Sequence, residues 1–264
     1  MTLDFLLLGG DARQTALARL LSRRFQVGVI GVPGWPDTEN ATAKSLVLPV
    51  PSCWSDGIVR GVAWETLESL LSEGVTVYGG AVGILPDQLE PYGARCIDLL
   101  KDPCAVAENA ALTADAAVLL AMQRTERSLT SLPCCVVGYG RIGMLLCRRL
   151  QGFGARICVI SGHAEKRALA SAAGYSALPP EEICRFQPTM VFNTAPASFI
   201  PLEALKTLPE ESLWIELASS PGGLQPGTKY PFARLPAGGL PGKLLPVSAA
   251  EVLYRAILRT IEGQ

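Results

Sequence analysis

The residues with the clearest chemical meaning are Gly138-Tyr139-Gly140-Arg141-Ile142-Gly143, a GxGxxG. The pattern follows the apolar run Cys134-Cys135-Val136-Val137 and opens a helical run from Met144 to Leu150. A second strand, Arg156 to Ile160, comes after the turn Gly152-Phe153-Gly154. That is the strand–turn–helix–strand unit in which a dinucleotide pyrophosphate is held. Gly138 permits a tight turn, Gly140 lets the backbone approach the phosphates, and Gly143 lets the helix pack close to the strand. The first helical N–H groups have no partner within the helix, so they suit an anion. With 26 glycines in 264 residues the motif alone is weak. The ordering of the flanking elements is what favours a nucleotide over an unoccupied turn.

The tip of the second strand selects between nicotinamide nucleotides. NAD sites carry an Asp or Glu there to bind the ribose 2′-OH. Here the chain reads Ser161-Gly162-His163-Ala164-Glu165-Lys166-Arg167. Ser161, His163, Lys166 and Arg167 suit a 2′-phosphate, so the reading is NADP, with NAD as the alternative; a solvated basic helix start is the bland account. Three further loops follow strand-like runs: Asn193-Thr194-Ala195-Pro196, Ala218 to Gly223, and Gly238-Gly239-Leu240-Pro241-Gly242-Lys243. Asn193, Thr194, Ala195, Pro196, Ala218 and Gly239 are therefore added to the cofactor candidates, beside Gly138 to Gly143.

These loops need a parallel sheet to hold them. Apolar runs at 3–8, 26–32, 45–50 and 75–78 alternate with helical patterns at 11–23 and 64–71, which predicts a wound α/β unit before the fingerprint as well. The longest helical stretch, 104–127, contains no glycine or proline. The fold class expected is α/β, with two Rossmann-like domains of parallel sheet joined by a long linker helix and a cleft between them. The boundaries are 1–104 for an N-terminal substrate domain, 105–128 for the linker helix and 129–245 for the NADP-binding domain. A C-terminal helix, 246–264, returns to the N-terminal domain.

Composition narrows the function classes. The chain has 23 basic and 24 acidic residues, giving no electrostatic footprint for nucleic acid. No apolar run approaches the roughly 20 residues that span a bilayer, and the N-terminus shows no signal-peptide pattern, so no membrane is expected. Eight cysteines include no CxxC pair and stand beside a single histidine. Structural zinc is therefore unexpected, and a reducing cytoplasm is favoured over a disulfide framework.

Gly9-Gly10-Asp11-Ala12-Arg13-Gln14, Leu48-Pro49-Val50-Pro51, Asn109 with Thr113, Gly138 to Met144, Asn193-Thr194 with Pro196, Leu217-Ala218-Ser219 with Pro221-Gly222-Gly223, and Gly239-Leu240-Pro241-Gly242 run in order along the whole chain. In these pieces the sequence resembles the dipicolinate synthase A-subunit family. The resemblance implies an NAD(P)-dependent oxidoreductase of sporulation, acting with the flavoprotein B-subunit of dipicolinate synthase. The pair would make pyridine-2,6-dicarboxylate from a dihydro- or tetrahydrodipicolinate precursor, a branch from the lysine pathway, in the mother-cell cytoplasm. Self-association is left open. A small dicarboxylate needs cations. Arg13, after the first strand, and Lys243, after the glycine loop, are the expected clamps from the two domains. Asn109 and Thr113 share a helical face and suit a carboxylate or the nicotinamide amide. Asp115, at an acidic family position, is the candidate catalytic base. The competing readings are a two-domain dehydrogenase of shikimate-dehydrogenase-like or 2-hydroxyacid type, and a non-catalytic nucleotide-binding regulatory protein.

Overall fold

The structure, a computed structural model, describes residues 2–53 and 59–263. The chain divides into two compact units, one of Met1–Asn109 with Pro241–Gln264 and one of Ala110–Leu240.

In the first unit β1 (Thr2–Leu8), α1 (Ala12–Leu21), β2 (Val27–Ile30), β3 (Thr42–Val47), α2 (Trp64–Ser69), β4 (Thr76–Gly79), α3 (Leu85–Leu89) and β5 (Arg95–Asp98) follow in order. The sheet order is β2-β1-β3-β4-β5, every pair parallel. Leu6, Leu8, Leu46, Leu48, Val77 and Leu85 form its core on one face. The run read as a strand over 45–50 pairs instead over Thr42–Val47. Pro49 and Pro51 have no N–H to give a ladder, so pairing stops before them.

The helix α4 (Pro103–Arg124) contains the division between the units. The expectation that no segment reaches spanning length needs correcting here. α4 has 22 residues and a mean hydropathy of 1.4 over its most apolar window, enough to cross a membrane by length and composition. Its Ala105, Ala114, Ala116, Ala117 and Ala121 are fully buried in protein, which is why the stretch is apolar.

The second unit continues with β6 (Pro133–Val137), α5 (Arg141–Gly152), β7 (Arg156–Ile160), α6 (Ala164–Ala172), β8 (Ser176–Leu178), β9 (Met190–Asn193), α7 (Leu202–Lys206), β10 (Leu213–Glu216) and β11 (Ala233–Pro236). Its parallel sheet has the order β11-β10-β9-β6-β7-β8. Renumbered within the unit this is 6-5-4-1-2-3, the order of dinucleotide-binding sheets, with its switch point between β6 and β9. The first sheet has the other common doubly wound order, 2-1-3-4-5, with its switch point between β1 and β3. Both sheets are therefore of the Rossmann-like α/β class.

A short helix α8 (Leu240–Leu244) leads to α9 (Pro246–Glu262), which packs on α1. The buried stripe of α9 is Ala249, Val252, Leu253, Ala256 and Ile257, at the spacing of one helical face. Arg255 pairs with Glu108, and Arg259 with Asp102, within the same unit.

The eight cysteines, all among the described residues, form no disulfide. Burial pushes the Cys134 and Cys147 thiols up to about 12, so neither is a nucleophile at neutral pH. Cys104 is exposed at the start of α4. A thiol reagent should therefore label Cys104 rapidly in the native protein and leave Cys134, Cys135, Cys147 and Cys158 untouched until denaturant is added. Mass spectrometry of labelled peptides reads this directly; native labelling of Cys135 would contradict the packed sheet.

Candidate functional site

The fingerprint turn sits at the carboxyl end of β6, beside the switch point of the second sheet. Its three glycines have three distinct structural reasons. Gly138 has φ +92, and a Cβ there would lie 2.7 Å from Thr194 Oγ1. Gly143 lies so close to the strand end that a Cβ would sit 2.3 Å from the Gly138 carbonyl oxygen. Gly140 is different. It caps α5 in extended conformation (φ −94, ψ −163) and a Cβ there would meet nothing within 4 Å. The protein's own packing does not require glycine at 140, whereas a pyrophosphate lying against that backbone does. The residues present therefore fit a dinucleotide.

Backbone, not side chain, serves this turn. The Tyr139 ring is buried edge-on against Tyr175, with centroids 6.4 Å apart. Arg141 is exposed at the first position of α5, and Ile142 is half-buried beside it. At the tip of β7, Ser161 is buried and its Oγ accepts from the His163 N–H at 3.2 Å. Arg167 reaches back along α6 and donates from Nη1 to the Ser161 carbonyl at 2.7 Å. This brings a guanidinium to the strand end where an NAD site has a carboxylate. The His163 side chain is exposed and does not cap α6.

On the other side of the switch point, β9 ends in Asn193. Asn193 is fully buried, and its amide is committed inward. Nδ2 donates to the Ala195 carbonyl at 2.9 Å and to Glu216 Oε1 at 2.6 Å, while Oδ1 accepts from the Ala195 N–H. Thr194 Oγ1 donates to the Val137 carbonyl at 2.9 Å. Both side chains expected to touch the cofactor hold their loop in place, Asn193 to Glu216 at the end of β10 and Thr194 to β6, with the half-buried Ala195 and the exposed Pro196 as its outer surface.

The organising group is one that sequence reasoning missed. Glu216, at the end of β10, accepts four hydrogen bonds. Asn193 Nδ2 and the Ala218 N–H donate to Oε1; Trp214 Nε1 at 3.1 Å and the Gly223 N–H at 3.0 Å donate to Oε2. Gly223 is obligatory, since a Cβ would fall 2.5 Å from Asn193 Nδ2. The carboxylate thus ties the 193–196 loop to the 218–223 loop at the carboxyl edge of the sheet. A strand-end acid followed by a Pro-Gly-Gly turn was the available signal. Gly239 has φ +70 and open space around it.

Asp115 does not sit at this edge. It forms an ion pair with Arg149 at 2.6 Å, both side chains partly exposed. Arg149 lies eight residues into α5, roughly 12 Å along its axis from the fingerprint turn at 1.5 Å per residue. α5 runs back from the carboxyl edge, and Asp115, the candidate base, is held in this ion pair. Asn109 ends the first unit, half-buried, and Thr113 lies one turn on in the second, buried.

In the first unit, Gly9 (φ +55) and Gly10 (φ +103) follow β1, and Asp11 caps α1 by accepting from the Arg13 N–H at 3.0 Å. The Arg13 side chain is only 11% exposed; Nη2 donates to the Val50 carbonyl, beyond β3. Gly242 packs on the Arg13 guanidinium. Lys243, expected to clamp from the second domain, thus belongs to the same unit as Arg13, exposed on α8. The two-sided clamp is corrected accordingly.

No family model matches the chain. Among curated proteins it is 24% identical, over 287 aligned positions covering 98% of this chain and 96% of that protein, to the A-subunit of dipicolinate synthase of Bacillus subtilis (strain 168). The chain resembles that dipicolinate synthase component from end to end. Solved structures agree at the level of fold. The dipicolinate synthase A-subunit from Bacillus halodurans superposes with a TM-score of 0.82 at 21% identity, covering 98% of this chain and 97% of that one. A transhydrogenase from Sinorhizobium meliloti superposes at 0.67 with 12% identity, covering 98% and 94%.

Proposed function

We propose that this chain is the nicotinamide-nucleotide dehydrogenase component of a dipicolinate synthase, oxidising a dihydro- or tetrahydrodipicolinate to pyridine-2,6-dicarboxylate beside a flavoprotein B-subunit. The setting proposed is the cytoplasm of a sporulating mother cell. The observation that carries the reading is the open space at Gly140 beside an intact turn at the switch point, in a chain that is similar to the dipicolinate synthase A-subunit throughout.

Each two-electron oxidation removes one hydride and one proton from the ring. Bound NADP+ supplies the hydride acceptor. The chain's residues bind and orient. The α5 N–H groups and Gly140 hold the pyrophosphate, Arg167 with Ser161 meets the 2′-phosphate, and the loops fastened by Glu216 shape the floor beyond β9 and β10. Arg13 faces a substrate carboxylate. With Asp115 held by Arg149 and His163 at the adenosine end, the proton is assigned to water, and aromatisation contributes the driving force.

The test is hydride transfer followed at the nicotinamide absorbance, with NADP+ and NAD+, with and without the flavoprotein. Turnover favouring NADP+, at least tenfold in kcat/KM, is expected, and Arg167→Ala should erase that preference while sparing NAD+. Preference for NAD+ removes the cofactor assignment. Tight nucleotide binding without turnover, partner present, replaces the enzyme by a nucleotide-binding regulatory protein.

A further inference from the structure

The nucleotide turn belongs to the carboxyl edge of the second sheet, and a separate recess lies at the amino edge. Arg156 opens β7 and Ser176 opens β8. Between these strand starts, the end of α5 and the 3-10 turn Pro180–Phe186 is a cavity of about 280 Å3. That is close to the lower limit of small-molecule pockets, about 300–1,000 Å3. Its lining includes Gln151, Arg156, Ile157, Tyr175, Ser176 and Phe186.

The lining carries one charged group, Arg156, and no carboxylate. The Arg156 guanidinium lies over the Phe186 ring, 5.4 Å from its centroid. An aromatic face holds a cation in place without neutralising it. Among the described residues no acid pairs with Arg156. Other donors stand beside it. The Tyr175 hydroxyl donates to Gln151 Oε1 at 3.0 Å, which commits the amide oxygen and leaves the amide NH2 to donate. Ser176 adds a hydroxyl. The ends of α5 and α6 present carbonyls at this edge, which disfavour an anion. Two of these are taken up by the chain itself: the Leu150 carbonyl accepts from the Ala155 N–H and the Ala170 carbonyl from the Tyr175 N–H, each at 3.1 Å. Ile157 and the Phe186 ring make the rest of the wall apolar. A small aromatic carboxylate answers both features, with its ring against Ile157 and Phe186 and its charge on the donors.

Tyr175 reaches from this recess to the nucleotide turn. Its hydroxyl holds Gln151, while its buried ring meets the ring of Tyr139 edge-on, with centroids 6.4 Å apart and planes at 69°. Tyr139 is itself buried and stands between Gly138 and Gly140. Close-packed side chains transmit strain to their neighbours. A ligand that fixes Gln151 therefore restrains Tyr175, and through the ring contact the turn.

We propose that the amino edge of the second sheet carries a regulatory site for a small aromatic carboxylate, gripped by Arg156 and Gln151, and that Tyr175 conveys its occupancy to the nucleotide turn through Tyr139. None of the lining residues has a part in binding nucleotide or substrate, so the site stands apart from the dehydrogenase reading.

The experiment uses the full-length, nucleotide-free chain and benzoate as the probe, with binding followed by ligand-observed nuclear magnetic resonance. Acetate is the carboxylate without a ring, and inorganic phosphate the anion without either feature. Benzoate should bind saturably, and both controls at least tenfold more weakly. Arg156→Gln should melt as the wild type does and weaken benzoate by about tenfold or more, the loss of one charge-assisted contact. Hydrogen exchange in the peptide carrying residues 138–146 should slow when benzoate is bound. Tyr175→Phe, which keeps the ring and loses the hydroxyl, should still bind benzoate but no longer slow that exchange. Absence of saturable benzoate binding, or Arg156→Gln binding as the wild type does, overturns the site. Acetate or phosphate binding as tightly as benzoate overturns the ligand class. Exchange in the turn that ignores bound benzoate, or that slows equally in Tyr175→Phe, overturns the coupling.

Discussion

Gly143→Ala will both destabilise the second unit and weaken nucleotide binding, whereas Gly140→Ala will weaken binding alone. The difference follows from what each absent Cβ would meet. At 143 the methyl would lie 2.3 Å from the Gly138 carbonyl oxygen, a backbone atom that cannot turn aside. Either α5 moves away from β6 or the turn distorts. Overpacking of this kind costs about 1–3 kcal/mol, which for a domain near 150 residues lowers Tm by about 3–10 °C. At 140 nothing stands within 4 Å, and the backbone is at φ −94, where alanine is unstrained. Gly140→Ala should therefore melt within about 1 kcal/mol of wild type, the difference between glycine and alanine as helix caps. Its NADPH affinity should still fall by at least tenfold, because the methyl occupies the path of the pyrophosphate. Thermal melting and nucleotide titration on the two variants separate packing from binding. A Gly140→Ala protein that binds NADPH normally would show that the open space serves no nucleotide, and the motif would be only a tight strand–helix turn.

The sequence was legible where burial is two-sided. β1, β6, β7 and β9 lie inside their sheets with helices on both faces, so each is a near-continuous apolar run that stands out without any periodicity. Three of the four edge strands were invisible for the converse reason. β8 is three residues of Ser-Ala-Leu, β11 is Ala-Arg-Leu-Pro, and β5 ends in Asp98; none has the apolar content that marks a strand, whereas the fourth edge, β2, is Val-Gly-Val-Ile and was legible. The fingerprint was legible because its glycines are dictated locally, by one turn and one helix start. Site residues set by distant loops were not. Asn193 follows a strand and reads as a ligand contact, but Glu216, 23 positions on, turns its amide inward. Lys243 follows the glycine loop and reads as part of the second unit. The chain crosses back at residues 240–241, and Gly242 is already packed on Arg13. Asp115 reads as an acid on a functional helix because nothing near it in sequence announces Arg149.

Glu216 is where the largest loss of stability from a single polar substitution is expected. Four N–H groups converge on its carboxylate, and two of them, the Asn193 amide and the Trp214 indole, belong to fully buried residues. Glu216→Ala leaves these donors without their acceptor. At about 1–3 kcal/mol for each buried donor left unsatisfied, the two most enclosed give roughly 2–6 kcal/mol, or about 5–20 °C in Tm. Glu216→Gln keeps the volume but replaces one accepting oxygen with an NH2 that must face a donor: Asn193 Nδ2 and the Ala218 N–H at one oxygen, the Trp214 indole and the Gly223 N–H at the other. It should recover part of the loss and not all of it. Because the same carboxylate fastens the 193–196 and 218–223 loops, a folded Glu216→Gln protein should show a raised KM for NADP+. Near-UV circular dichroism on Trp214, stacked on Phe232 with ring centroids 5.9 Å apart, reports whether the loop floor has loosened. A Glu216→Ala chain that melts within about 2 °C of wild type, its tryptophan signal intact, would mean the loops hold themselves, and the carboxylate would have no part in positioning the nucleotide.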